Sequence, residues 1–325
     1  MASSTPPLRP ETVLVTGSSG HLGRALMLSL PSYGYTPIGL DIKPSSTTTF
    51  IGSFGDASLL QNLFSPSWLR AQPAISSSNH PNLQPISHII HCATLHKPHI
   101  ESHTKAQFVQ TNITDTLTLL EAAAAATTTT TATSDSDPDA NTNSERTGTI
   151  KSFTYISTTS TFGRSLSPPL PPSFVQGWTY LADIVSACVA SMKAQQQTMS
   201  TRGTNNKRIK FGKYIISSGP SSFLDLPTHE DWVRLNTESP GSDGAGAGAE
   251  KVFAEVAEGL CPGVGAVMEE KGWKWLGRVD RVYDSRLAME ELGKGGVLGW
   301  KPEWTFQRAL ERIVRGEEWR SGGVG

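Results

Sequence analysis

Gly17, Gly20 and Gly23 recur at three-residue steps in Thr16-Gly17-Ser18-Ser19-Gly20-His21-Leu22-Gly23. The first glycine permits a tight turn, the second lets backbone approach a ligand, and the third packs a helix closely on a strand. Such a turn suits a pyrophosphate held at a helix N-terminus, where the dipole and free N–H groups favour negative charge. Ser19, His21 and Leu22 lie inside it and belong to the same expected cofactor contact. Asp41 follows at the end of a second apolar run, placed to accept hydrogen bonds from the hydroxyls of an adenosine ribose and to repel a phosphate on it. NAD is therefore the expected cofactor, and NADP the less favoured one. Asp56 reads equally well as a contact to the adenine and as a helix N-cap.

Five of the eight histidines, His88, His91, His96, His99 and His103, fall in one window. Imidazole is a common metal ligand and a general base near neutral pH. His88 and His91 are expected on opposite sides of a strand, and no accompanying ligand set is visible, so no metal is assigned. His96 and His99 lie in a loop after a strand whose end would face the cofactor, along with Cys92 and Ala93, and could touch substrate. Three cysteines without a C-x-x-C pair read as reduced thiols.

The elements that would position these groups follow from periodicity. Val13–Val15 reads as a strand, followed by a helix carrying Leu22, Ala25, Leu26 and Leu30 and stopped by Pro31. Strands are expected at Thr36–Leu40, Thr48–Ile51, His88–Ala93 and Ser152–Ser157, and a helix begins near Leu59. Residues 65–86 read as a loop. A helix from Thr104 to Ala126 is expected to bury Phe108, Ile113, Leu117, Leu120 and Ala124. The low-complexity tract 122–149 has too few large apolar groups to repay its ordering and reads as a disordered insertion. Further on, helices are expected at Asp183–Thr198, Ser285–Leu292 and Thr305–Arg315, a strand at Tyr214–Ser217, and a flexible insertion at 239–249. This order implies an α/β fold: a Rossmann-like, doubly wound parallel sheet with a small C-terminal α/β substrate lobe. Residues 1–163 would form the NAD-binding half, and 164–325 the rest of the sheet and a reduced lobe.

A formal net charge of -1 over 325 residues, with no block of Lys and Arg, argues against a nucleic-acid partner. No run of about 18 apolar residues offers a membrane span, and the polar N-terminus lacks the core of a signal peptide, so a cytoplasmic protein is expected.

Together, Thr16-Gly17-x-x-Gly20-x-x-Gly23, Asp41, the His91-Cys92-Ala93 strand end and Tyr155-Ile156-Ser157-Thr158-Thr159-Ser160-Thr161-Phe162-Gly163 resemble the extended short-chain dehydrogenase/reductases, the NAD-dependent epimerase/dehydratase group. Asp280-Arg281-Val282-Tyr283 and Gly299-Trp300-Lys301-Pro302 resemble the closing segment of that family. The resemblance implies that Asn112 steadies the active site, that Thr158 hydrogen-bonds the substrate oxygen, and that the chain pairs as a homodimer through helices of the nucleotide domain. It also implies a tyrosine base with a lysine four residues on. Here the six tyrosines are followed at the fourth position by Pro37, Gly39, Thr159, Ile184, Ser218 and Leu287, so no Tyr-x-x-x-Lys is present.

Tyr180 falls about where the catalytic tyrosine would lie. An unassisted phenol is ionised in only about one molecule in a thousand at pH 7. Alternatively, Tyr180-Leu181-Ala182-Asp183-Ile184-Val185-Ser186-Ala187 resembles a later family segment, and the tyrosine-lysine helix is missing between Gly163 and Gly177. Two functions remain open: an oxidoreductase, epimerase or dehydratase acting on a sugar nucleotide or small carbonyl compound, and an NAD(H)-binding sensor or inactive family member.

Overall fold

The computed structural model describes residues 10–76, 83–96, 99–128, 150–157, 181–200, 212–214, 216, 254–255, 257–273, 286–292, 300–304 and 306–317. Its framework is a parallel sheet in the order β3-β2-β1-β4-β5, with β1 Glu11–Thr16, β2 Tyr35–Asp41, β3 Phe50–Ile51, β4 Ile86–His91 and β5 Ser152–Tyr155. The reversal of strand order beside β1 is the doubly wound pattern, and it places the ends of β1 and β4 at the switch point where such sheets bind ligands. Val13, Leu14, Val15, Ile89 and Ile90 are fully buried, as expected of strands covered on both faces.

The first helices follow directly from local sequence. α1, His21–Ser29, turns its Leu26 inward, and Pro31 brings it into a 3-10 turn, Leu30–Tyr33, closed by Gly34 at φ 83°. α2, Ala57–Leu63, is capped by Asp56, whose Oδ1 accepts the N–H groups of Ser58 at 2.9 Å and Leu59 at 3.0 Å. The stretch expected to be a loop contains two short helices, α3 Pro66–Ala71 and α4 Pro73–Ser76. Proline at the first position of each is compatible with helix, and burial of Leu69 and Ile75 against the core supplies what local propensity lacked.

The long helix is interrupted in a way that periodicity did not show. α5, Lys105–Val109, runs into a π-helical turn at Gln110–Asp115 and continues as α6, Thr116–Thr128. The buried face is Leu119, Ala123 and Ala126, whereas Ile113, Leu117 and Leu120 of the expected face are exposed. The π turn accommodates one extra residue, so a face projected through it at 3.6 residues per turn is rotated. Residues 122–128 of the tract expected to be disordered belong to α6; residues 129–149 lie outside the described residues.

The chain divides into two compact units, Met1–Thr161 with Ser191–Ile209, and Phe162–Ala190 with Lys210–Gly325. The division falls within α7, Leu181–Ser200. In the second unit, α8 Val264–Glu270, α9 Arg286–Glu291 and α10 Phe306–Val314 are helical. Val264, Met268 and Leu310 pack with Ala257 and Cys261. Glu258 caps α8, a helix not expected from the sequence, by accepting the N–H groups of Gly263 and Gly265. Asp183, almost fully buried, accepts the N–H of Glu303 at 3.0 Å, and Trp300 donates to the Ser186 hydroxyl at 3.0 Å, so Trp300 and Glu303 are tied to the start of α7. Tyr214 and Ile216, expected in a strand, are irregular, and no strand occurs among the described residues of this unit. The insertion at 239–249 lies outside the described residues.

Two histidines sit wholly inside the first unit on opposite faces of β4. His88 Nε2 meets Glu11 at 2.9 Å and its Nδ1 meets Ser152 Oγ at 2.6 Å, while Lys151 pairs with the other oxygen of Glu11. His91 Nδ1 lies 2.6 Å from Thr16 Oγ1 and its Nε2 3.2 Å from Thr116 Oγ1. Burial lowers both rings, His91 to about 4.

Leu119 is fully buried, so Leu119→Ala should cost about 2–5 kcal/mol in chemical denaturation. Leu28→Ala, at an exposed position, should change stability by less than about 0.5 kcal/mol. The folded chain holds His91 neutral to about pH 4 while the unfolded chain protonates near 6.5. Stability present above pH 6.5 should therefore fall towards pH 4, by up to about 3 kcal/mol from this ring. Denaturation midpoints of wild type and His91→Gln across that range should differ in slope, and equal slopes would remove His91 as the cause.

Candidate dinucleotide site

β1 delivers the chain into the glycine turn close against the end of β4. Gly17 has φ 72°, and a Cβ there would lie 2.9 Å from the Ala93 nitrogen, so only glycine fits between the ends of β1 and β4. At Gly23 a Cβ would run into the carbonyl of Gly17, which makes glycine the condition for α1 to start against the turn. The turn closes through Gly20 N–H to Gly17 O at 3.1 Å, and α1 opens with Arg24 N–H to Gly20 O at 2.8 Å. Gly20, the N-cap, provides no side chain to cover the first N–H groups of α1. A helix start left uncapped at a switch point, with His21 and Leu22 as its first residues, fits a diphosphate.

Asp41 ends β2 beside this turn. Its Oδ2 accepts the Ser19 N–H at 2.9 Å and its Oδ1 the Lys43 N–H at 2.9 Å. Ser19, expected among the cofactor contacts, thus gives its amide to Asp41. Each carboxylate oxygen retains a second acceptor position, which leaves capacity for ribose hydroxyls. Asp56 is occupied as the cap of α2 through Oδ1. Cys92 and Ala93 lie against Gly17, where the thiol is half-buried.

The loop beyond β4 is held from below. Asn112, inside the π turn, accepts the Leu95 N–H at 2.8 Å and donates to the Leu95 carbonyl at 2.8 Å, so one amide grips both polar groups of one residue. The sequence placed Asn112 on a helix but did not indicate this clamp, because the π turn that aims it leaves no trace in the periodicity. His96 N–H donates to His99 Nδ1 at 3.0 Å, and the His96, His99 and His103 rings stand edge to face at 4.7 and 5.5 Å. Partial burial, then the neighbouring His96, His103 and Lys43, hold the His99 ring below its ordinary value and favour the neutral base form. Among the described residues no group of three metal-ligating side chains is assembled.

β5 brings Ile156 to the same edge, its N–H donating to the His91 carbonyl at 2.9 Å. Tyr155 packs its ring 5.4 Å from that of His91, and burial pushes its phenol upward, away from what a base at neutral pH requires. Thr158 and Tyr180 lie outside the described residues.

Comparison with known proteins places these features. A model of the NAD dependent epimerase/dehydratase family matches residues 13–177. Among solved structures, a UDP-glucose 4-epimerase is 14% identical with a TM-score of 0.47, covering 97% of this chain and 100% of that one. A UDP-N-acetylglucosamine 4-epimerase from Bacillus cereus is 14% identical with a TM-score of 0.47, covering 93% and 97%. The uronate dehydrogenase from Agrobacterium tumefaciens is 20% identical with a TM-score of 0.27, and the match covers 36% of this chain and only 38% of that one. No curated protein matches the chain. No helix among the described residues is long and apolar enough to cross a membrane. With a family match over half of its length, and with that match spanning the glycine turn, Asp41 and the clamped loop, the chain belongs to the NAD dependent epimerase/dehydratase family.

Proposed function

We propose that this protein binds NAD(H), in preference to NADP(H), across the ends of β1, β2 and β4. The diphosphate would rest on the N–H groups of His21 and Leu22, and Asp41 would accept from the adenosine ribose. The observation that carries this reading is the carboxylate of Asp41 joined to the turn itself, 2.9 Å from the Ser19 nitrogen. A fixed negative charge there opposes a ribose phosphate. Dinucleotide binding is assigned to residues 1–163, and the rest of the sheet with a reduced substrate lobe to 164–325.

On this reading the protein is an oxidoreductase, epimerase or dehydratase of a sugar nucleotide or small carbonyl compound. The bound nicotinamide supplies hydride chemistry, and the chain orients it. The departure is the base: with no Tyr-x-x-x-Lys in the chain, His99 is a candidate acceptor of the substrate proton, its ring lowered by partial burial and by the neighbouring His96, His103 and Lys43. The absence of that pair favours a second reading, an NAD(H)-binding sensor or inactive family member.

The exposed apolar stripe of the α5–α6 helix supports a homodimer. Val109, Ile113 and Leu117, each more than half exposed, repeat every four residues, with Leu120 beyond. In a regular helix such a repeat drifts by about 40° per step; the wider π turn takes up part of the drift. About a twofold axis at Ile113, an antiparallel second copy sets Val109 against its Leu117, Ala106 against its Leu120, and Lys105 against its Glu121. This self-complementarity is what an isologous interface requires.

Calorimetric titration should show NADH binding at least about tenfold tighter than NADPH, the scale of one lost or repelled charged contact. Change in nicotinamide absorbance with sugar nucleotides or carbonyl compounds then separates the two readings. Turnover abolished by His99→Ala supports the enzyme, binding without turnover supports the sensor, and a folded protein that binds neither dinucleotide sinks both. By light scattering the wild type should be a dimer and Ile113→Glu a monomer, and a monomeric wild type would refute the pairing.

A further inference from the structure

Three consecutive residues of the phosphate turn are held by a single strand end and the loop that follows it. Gly17 N–H donates to the Leu40 carbonyl at 2.9 Å, the Ser18 carbonyl accepts from the Thr47 hydroxyl at 2.8 Å, and Ser19 N–H donates to Asp41 Oδ2 at 2.9 Å. The approach is so close that a Cβ on Gly39 would meet the Thr47 carbonyl and stand 2.7 Å from Ser18 Oγ. The loop is itself pinned: Thr48 Oγ1 donates to the Lys43 carbonyl at 2.9 Å, and Thr49 Oγ1 accepts the Gly39 N–H at 3.0 Å. Of the three ties on the turn, only the one at Ser19 ends on a charged group, and hydrogen bonds to an ionised acceptor are the stronger ones. The same carboxylate also closes its own loop through the Lys43 N–H.

We propose that Asp41 is a positioning residue for the phosphate turn, in addition to any contact with ribose, so that removing its acceptor side chain dismantles the diphosphate site and does not convert the protein to NADP. Because the Ser19 amide is spent on Asp41, the diphosphate is left to the helix start at His21 and Leu22. The spacing between that helix start and the ribose site is set by the Asp41–Ser19 bond. The ligand named here rests on the dinucleotide reading above; the bond does not.

The test separates the two roles with a ligand that never reaches Asp41. Reduced nicotinamide mononucleotide carries the nicotinamide ribose and one phosphate but no adenosine ribose. A residue that serves only the adenosine ribose leaves its affinity unchanged. Asp41→Ala should weaken both this mononucleotide and NADH by roughly tenfold or more, without gain for NADPH, as expected on losing a hydrogen bond to a charged group. Asp41→Asn, which keeps one acceptor oxygen, should retain part of the affinity. Amide hydrogen exchange on the ligand-free protein supplies a readout that needs no cofactor: exchange at Ser19 should accelerate by roughly tenfold or more in Asp41→Ala and less in Asp41→Asn. If Ser19 exchange and mononucleotide binding match the wild type in Asp41→Ala, the proposal is overturned. If the wild type binds no dinucleotide while Ser19 exchange responds as stated, the functional reading falls and the positioning role stands.

Discussion

The buried contact between Thr16 Oγ1 and His91 Nδ1, at 2.6 Å, ties the end of β1 to the end of β4. Everything that approaches the switch point leans on it. Thr16 is the last residue before the glycine turn, and His91 the last before Cys92 and Ala93. The same ring reaches Thr116 at the start of α6 and stands 4.6 Å from Phe54, just ahead of the cap of α2. A neutral imidazole can donate through one nitrogen and accept through the other, so it joins a strand and a helix with both groups satisfied. Protonation would place a charge in that apolar setting, which is why burial holds the ring so far below its ordinary value.

Around that join the site is built by exclusion as much as by attraction. Gly17, Gly23 and Gly39 sit where a Cβ would overlap backbone atoms, so β1, β2, β4 and α1 meet closely enough for one turn to be gripped from two sides. Asp41 and Thr47 hold it on the β2 side, and Ala93 bounds it on the β4 side. Beyond β4 a different device operates, a side-chain amide that mimics a strand partner for Leu95 and brings the histidine loop over the same edge. The opposite ends of the strands carry a second polar network, Glu11, His88, Lys151 and Ser152, that fastens β5 into the sheet away from the glycine turn.

The proposed base makes a different demand on the chain from the glycine turn. The glycine turn depends on backbone conformation, which its glycines and one carboxylate announce. A base depends on the environment of a side chain. Tyr155 and His99 show the contrast: burial moves the phenol away from useful basicity, and partial burial with His96, His103 and Lys43 nearby lowers the imidazole. Neither setting follows from residue type.

The glycine turn, Asp41 and the alternation of strands and helices were readable because each states a local requirement: a backbone conformation, a charge at a strand end, a repeat of two or 3.6 residues. From these the sequence by itself determined the Rossmann-like sheet, the nicotinamide dinucleotide family and the place of the first helix. Tertiary structure decided the rest. Burial against the core turned 65–76 into helices that lacked local periodicity, and the π turn rotated the α5–α6 helix so that Leu119 and Ala123 face inward while Ile113 and Leu117 face out. The bonds from Asp41 to Ser19 and from Asn112 to Leu95 join residues that are far apart along the chain, and only the folding of β2 and the π turn against their neighbours brings them into reach.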